Sequence, residues 1–313
     1  MQEENQPQIS KKLLFLNAFL VFSIVCMVFF IYGLINIPVP IHKEPEQVFS
    51  SRAFDNLSLQ AKSVYVFDLL KNKVLYEKNS LAQLPLASIT KLMTALTAVE
   101  LFPKDTRITI RKEFLEEEGD TGLLSEESWK LKDLLDFSLI VSSNDGARSV
   151  ASVVGAFNIK SEDYDLGRKD FIHKMNVKAQ ELGLEQTYFI NETGLDEGNV
   201  SGGYGSAVDI AKLLGYIIIN KPNLLEATKY ETAQISSLNK THSIKNTNDV
   251  LNNIPGLIVS KTGYTDFAGG NLVVVFDASM GRPMIVVVLG SSENGRFRDI
   301  EELVFAIKNY IQE

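Results

Sequence analysis

From Leu13 to Ile37 the chain is almost continuously apolar, broken mainly by Asn17, Ser23 and Asn36. A helix of about 25 residues reaches across the ~30 Å hydrocarbon core of a bilayer with some tilt. A secretory signal has a shorter apolar region, about 7–15 residues, and ends at a small-x-small cleavage site. Ile37-Pro38-Val39-Pro40-Ile41 offers no such site. The expectation is an uncleaved single-pass anchor at 13–37. A cleaved signal peptide is the alternative, and a buried soluble helix fits the composition less well. Lys11 and Lys12 flank the run on its N-terminal side. Their charge places residues 1–12 in the cytoplasm and everything after the span outside.

Residues 38–55 contain Pro38, Pro40 and Pro45 among polar and charged residues. Proline lacks an amide hydrogen and restricts its neighbours, so this segment reads as an extended linker. The folded extracytoplasmic domain is expected over 56–313. That is long enough for one sizeable core. The net charge of −8 gives no reason to expect nucleic acid as a partner. The single cysteine, Cys26, lies in the apolar run, so no intramolecular disulfide can form and packing alone must hold the fold.

Alternating and β-rich residues predict a hairpin from Ser63–Asp68 and Lys73–Glu77. After Pro85, apolar residues at Leu92, Ala95, Leu96 and Val99 predict a helix over Ser88–Glu100. The stretch from about Lys132 to Leu182 reads as helical, and so does Ser206–Asn220. Two strong strands follow at Gly270–Phe276 and Pro283–Leu289. A closing helix carries Ile300, Leu303, Val304, Ile307 and Ile311 at helical spacing. Strands at both ends and helices between predict an α/β chain of the α+β kind. Its one mostly antiparallel sheet is shared by the two ends and flanked by helices, with a helical subdomain beside it and a site in the cleft between.

Several chemistries have no support. His42, His173 and His242 are scattered, with no second ligand at zinc spacing. There is no G-x-S-x-G elbow and no P-loop. No metal and no cofactor is expected. A Ser-His-Asp hydrolase has no signature here.

Ser88-Ile89-Thr90-Lys91 is the sharpest signal. Residues three apart share a helix face, which brings hydroxyl and amine within hydrogen-bond reach. A serine becomes a nucleophile when a base takes its proton. A lysine can be that base when burial or a second cation disfavours its ammonium form. Ser88 would also sit at the positive, N-terminal end of its helix. The spacing alone is weak, because Ser237-Leu238-Asn239-Lys240 repeats it in a polar, turn-like stretch. Ser142-Ser143-Asn144 follows an apolar helix and could relay a proton and hold a substrate amide. It could equally be an ordinary loop or cap, and Ser292-Glu293-Asn294 has the same form. Lys261-Thr262-Gly263 supplies a charge, a hydroxyl and an open backbone, and by itself reads as a turn.

Taken together and in this order, the three motifs are far more specific. The chain resembles the low-molecular-mass D-alanyl-D-alanine carboxypeptidases, the penicillin-binding serine peptidases that trim peptidoglycan stem peptides. Further stretches carry the likeness. They are Pro85 to Ala95, Leu131 to Asp145, Phe171 with Met175-Asn176 and Leu182-Gly183-Leu184, and Asn191 with Gly194-Leu195-Asp196. Asn246-Thr247-Asn248, Pro255-Gly256, Lys261 to Thr265, Ala268-Gly269 and Arg296-Phe297-Arg298-Asp299 complete it. The likeness covers about Val64 to Ile311. There are departures: Ser143 stands where family members often have glycine, Ile258-Val259 where many have Asp-Gly, and Val208 where an arginine is frequent. Many members also carry a β-rich domain and an amphipathic anchor after the peptidase domain. Here the N-terminal run is expected to do the anchoring.

The resemblance implies a penicillin-binding, β-lactamase-like transpeptidase fold and two-step acyl transfer on stem peptides ending in D-Ala-D-Ala. Ser88 would be the nucleophile and Lys91 its base. Ser142, Asn144 and Lys261 would complete the catalytic group. Thr262, Gly263, Tyr264, Thr265 and Arg296 would bind substrate, with the amides of Ser88 and Tyr264 as oxyanion donors. β-Lactams would acylate Ser88. The resemblance leaves open a β-lactamase or a D-Ala-D-Ala endopeptidase of the same fold. A β-lactam sensor that does not turn over is a further alternative, disfavoured by a cytoplasmic tail of about a dozen residues.

Overall fold

The central strands explain the architecture. Leu272 to Phe276 and Met284 to Leu289 are fully buried. Their side chains alternate between two cores, as the period of two in a strand requires. Leu272, Val274, Met284, Val286 and Val288 pack with Val64 and Val66 against Ile300, Leu303 and Ile307 of the final helix, Gly295–Gln312. Val273, Val275, Ile285 and Val287 pack on the opposite face against the helical part, including Leu92, Leu96, Ile210 and Leu214. A sheet covered on both faces needs near-continuous apolar strands, and these two have them.

The computed structural model describes residues 52–312 except Asp120 and, upstream of these, Ser23 and Met27, both helical and exposed. The expected span at 13–37, those two residues apart, and most of the linker at 38–55 lie outside the described residues. Among the described residues no helix is long and apolar enough to cross a membrane. The described residues from Arg52 onward belong to one compact unit.

In that unit the five-stranded sheet has the order Leu257–Thr265, Gly269–Asp277, Pro283–Ser291, Ser63–Asp68, Lys73–Lys78. Every neighbouring pair is antiparallel. Chain ends thus meet in one sheet, as the strand pattern predicts. The strand Leu257–Thr265 lies at the sheet edge, where it packs against the 3-10 turns Ala87–Thr90 and Glu226–Lys229. Phe54, in the segment expected to be linker, is buried and stacks on Tyr76 at 5.7 Å between ring centroids. Phe54 is one of two phenylalanines in a polar, proline-containing segment, and their spacing has no periodicity to reveal that contact.

The stretch expected to be helical from Lys132 to Leu182 divides into Leu131–Ile140, Asn144–Ile159 and Tyr164–Glu181. The first break falls at Ser142, whose φ of 60° is left-handed. Ser143 then caps the next helix by accepting the Gly146 amide at 3.0 Å. The second break is capped by Asp163, which accepts the amides of Asp165 and Leu166. Helices Asn144–Ile159 and Tyr164–Glu181 touch through glycine: a Cβ on Gly155 would lie 1.9 Å from the Gly167 carbonyl.

Candidate active site

Ser88 lies on a 3-10 turn, Ala87–Thr90, and Lys91 is the first residue of the α-helix Lys91–Leu101. The expected helix therefore begins one turn tighter than its apolar spacing suggests. Ala87 has a φ of 48°. A non-glycine residue in that region is uncommon and is held there by its surroundings. One such restraint is Asn271. It is fully buried in the Gly269–Asp277 strand and donates to the carbonyls of Pro85 and Leu86, both at 3.0 Å, while accepting the Gly290 amide at 2.8 Å. The nucleophile's turn is thereby fastened to the sheet.

Lys91 Nζ is 2.9 Å from Ser88 Oγ, 2.6 Å from Asn144 Oδ1 and 2.8 Å from the Thr193 carbonyl oxygen. These are the three acceptors an ammonium needs. A neutral amine keeps two donors and turns its lone pair toward one partner, and only Ser88 can answer with a proton. Burial pushes Lys91 down to about 7, with Glu192 and Glu117 opposing the shift. At neutral pH a large share of the lysine is then an unprotonated base next to a serine hydroxyl.

On the sheet side Lys261 Nζ donates to Ser142 Oγ at 2.9 Å and to the Thr262 carbonyl at 2.7 Å. It is buried. Burial, Lys91 and Arg296 all hold its amine well below the ordinary lysine range. The left-handed backbone at Ser142 turns its hydroxyl toward Lys261. The neighbouring Ser143 points the other way, to the Gly146 amide and Thr121. This explains why a serine is accommodated at the middle of the motif: it is a helix cap.

Ser88, Lys91, Ser142, Asn144 and Lys261, expected to be catalytic, are thus linked into two hydrogen-bonded groups. The residues expected to bind substrate fall into several situations. Gly263 packs tightly: a Cβ there would lie 3.0 Å from the Leu86 carbonyl and 3.1 Å from the Ser88 amide, so strand or turn would have to give. The close approach is between the strand and the chain's own nucleophile turn, rather than between backbone and ligand alone. The Thr262 hydroxyl pairs with that of Thr247. Arg296 Nη1 donates to the Gly263 carbonyl at 2.8 Å, and its guanidinium lies 6.0 Å from the Tyr264 ring centroid. Burial lowers the basicity of Arg296. Tyr264 is largely exposed at the strand's end. Thr265 donates to Asp196 Oδ1 at 3.0 Å, which ties the strand to the turn that follows Thr193.

Thr193, Asn271, Thr247 and Asp196 are the site's less legible members. A backbone carbonyl such as that of Thr193 has no residue-type signal. Asn271 had one, a lone amide in an otherwise apolar strand. Ser237, the second serine with a lysine three residues on, accepts the amides of Asn239 and Lys240 in a turn and sits by Glu127. Lys240 is exposed there. Among the described residues no group of three or more histidine, cysteine or acidic side chains could hold a metal.

The sequence profile of the D-alanyl-D-alanine carboxypeptidase family matches residues 49–293. The chain is 31% identical over 262 residues to the D-alanyl-D-alanine carboxypeptidase DacF of Bacillus subtilis, covering 81% of this chain and 64% of that one. It is 32% identical over 237 residues to the D-alanyl-D-alanine endopeptidase of Escherichia coli, covering 72% and 70%. It therefore spans a little under two thirds of the Bacillus relative. Among solved structures, penicillin-binding protein D2 of Listeria monocytogenes in its ampicillin-bound form is 29% identical, with a TM-score of 0.68 over 80% of this chain and 98% of that one. The Streptomyces K15 DD-transpeptidase, at 24% identity and a TM-score of 0.71, shares the fold over 80% and 98%.

Proposed function

The chain belongs to the D-alanyl-D-alanine carboxypeptidase family, and we propose that it removes the terminal D-alanine from peptidoglycan stem pentapeptides. The observation that carries this reading is the 2.9 Å contact between Ser88 Oγ and the buried amine of Lys91. Ser88 Oγ attacks the carbonyl carbon that joins the two terminal D-alanines, and its proton passes to neutral Lys91. The amides of Ser88 and Tyr264 stabilise the oxyanion; loss of one such donor typically costs about 10²–10³ in rate. The C–N bond then breaks. The proton that Lys91 took from Ser88 passes by way of Ser142 and Lys261 to the departing D-alanine nitrogen, which returns Lys91 to its neutral form, and the acyl chain stays on Ser88. Asn144 holds Lys91 in place. Thr262 and Arg296 lie on the strand side where the substrate's terminal carboxylate would rest. Water attacks the ester, the acyl product leaves, and Ser88 recovers its proton.

A β-lactam ring presents a similar amide to the same serine, so covalent acylation by penicillin is part of the reading. The ampicillin-bound Listeria relative supports it. Membrane attachment belongs to the proposal too. It assigns residues 1–12 to a cytoplasmic tail, 13–37 to the span, 38–55 to a spacer and 56–313 to a peptidase domain facing the cell wall. The support is the apolar run and the Lys11-Lys12 flank.

A second reading, cleavage of D-Ala-D-Ala cross-links, is favoured by the relatives named as endopeptidases. The outer domain, incubated with a monomeric pentapeptide muropeptide and with a cross-linked dimer, separates the two. Free D-alanine from the monomer is the expected product. Conversion of the dimer to monomers without D-alanine release would replace the carboxypeptidase reading with the endopeptidase one.

A further inference from the structure

An ion pair between a half-buried arginine and a fully buried carboxylate lies behind the catalytic lysine. The helix face that carries Lys91 also carries Thr94, one turn on. Lys91 Nζ holds the Thr193 carbonyl at 2.8 Å, and Thr94 Oγ1 holds the Glu192 carbonyl at 2.7 Å. Two successive peptide groups are therefore gripped by the same helix. This fixes where the Glu192 side chain goes. Its carboxylate is wholly shielded from solvent. It meets Arg168 of the helix Tyr164–Glu181, whose Nε lies 3.0 Å from one carboxylate oxygen and 2.8 Å from the other.

An unneutralised carboxylate in that position would favour the ammonium form of Lys91, because charges in a poorly solvated interior are weakly screened. A protonated Lys91 cannot take the Ser88 proton. We propose that Arg168 and Glu192 are positioning residues that set the charge state of Lys91: Arg168 cancels the buried Glu192 carboxylate and so keeps the lysine available as a base at neutral pH. The inference rests on the acyl-transfer reading of the site.

Two further carboxylates, Glu117 and Glu197, act on Arg168, the latter accepting from Asn191 Nδ2 at 2.7 Å. Glu117 comes from the loop that covers this side, its own carboxyl pushed up by burial and by Glu192. It lies 3.5 Å from Arg148. Asp145 accepts the Glu117 amide at 3.2 Å. Lys261 faces Lys91 from the sheet, with Arg296 behind it. None of these contacts the Glu192 carboxylate as Arg168 does.

The test is the second-order rate of acylation by fluorescent penicillin, measured from pH 5.5 to 10 on the outer domain. Arg168→Gln is expected to move the rising midpoint of the profile about one unit to higher pH. At pH 6.5 that is about a tenfold loss, regained at high pH, since one unit corresponds to tenfold in the protonation equilibrium. Glu192→Gln, which keeps the shape and removes the charge, is expected to move the midpoint to lower pH. Arg168→Lys should stay near the wild-type midpoint. A loss by the same factor at every pH, with the midpoint unmoved in both glutamine variants, would overturn the proposal and leave a merely structural pair. Should Arg168→Gln fail to fold, the direction of the Glu192→Gln shift decides alone. Absence of labelling in the wild type at every pH would instead defeat the acyl-transfer reading itself.

Discussion

Ser142 Oγ and Lys261 Nζ lie 2.9 Å apart although 119 residues separate them in the chain. The serine sits in a left-handed break between two helices, and the lysine in a strand at the sheet edge. Lys261 also lies close enough to Lys91 for the two charges to oppose one another. Two lysines with depressed basicity are therefore neighbours, one beside each of the two serines that the proposed reaction uses.

The nucleophile can be singled out by labelling. Ser88→Ala should abolish covalent fluorescent-penicillin labelling and D-alanine release, because the covalent step has lost its oxygen. Ser237→Ala should leave both intact, as its hydroxyl serves a turn beside Glu127. Peptide mapping of the label to any residue but Ser88 sinks the mechanism.

The role of Lys91 predicts a pH limb. Acylation should rise with pH through a midpoint near 7, since the base form is the unprotonated one and burial holds Lys91 at about 7. Lys91→Arg should lose at least about a hundredfold, arginine being unable to give up its proton. Near-normal acylation by Lys91→Arg would assign the base elsewhere.

The same lysine should cost stability. Its amine titrates near 10.5 when unfolded and is pushed down to about 7 when folded. Between those values the unfolded chain binds more protons, so the cost grows as pH falls through this range and disappears as pH rises. Lys91→Met should accordingly be inactive yet more stable at pH 7, on the order of 1 kcal/mol or more, or about 2–4 °C in Tm per kcal/mol. A lower Tm than wild type at pH 7 would contradict it.

Gly263→Ala should strike activity harder than folding. The added methyl would press on the Leu86 carbonyl and Ser88 amide. Strand and nucleophile turn must then separate by a few tenths of an ångström. A stability loss of about 1–3 kcal/mol is expected, with acylation reduced about tenfold to a hundredfold. Unchanged acylation kinetics would show that the close approach is dispensable.

The anchor is tested in cells. Full-length protein should remain with membranes after an alkaline wash, and protease added from outside should reach its C-terminus. Release of a shortened soluble form would identify a cleaved signal peptide instead.

What the sequence by itself determined is local. Strands at Ser63–Asp68, Gly269–Asp277 and Pro283–Ser291 follow from β-rich and apolar runs whose period matches the pleat. Ser88 and Lys91 meet because a spacing of three closes within one helical turn, and Ser206 caps its helix from its own side chain. The order of the three motifs was legible for the same reason, each being a few adjacent residues. Tertiary structure alone decided the rest. Whether Ser142 or Ser143 faces Lys261 depends on the sign of one φ angle, imposed by packing of the helices on either side. Asn271 reaches Leu86 through strand register, Gly263 packs close under a turn from far away in the chain, and Arg168 finds Glu192 because Thr94, on another helix, holds the Glu192 peptide beside it. Hydrogen bonds and charges of this kind join groups brought together by the burial of separate apolar faces, and no periodicity along the chain encodes which partners that burial will choose.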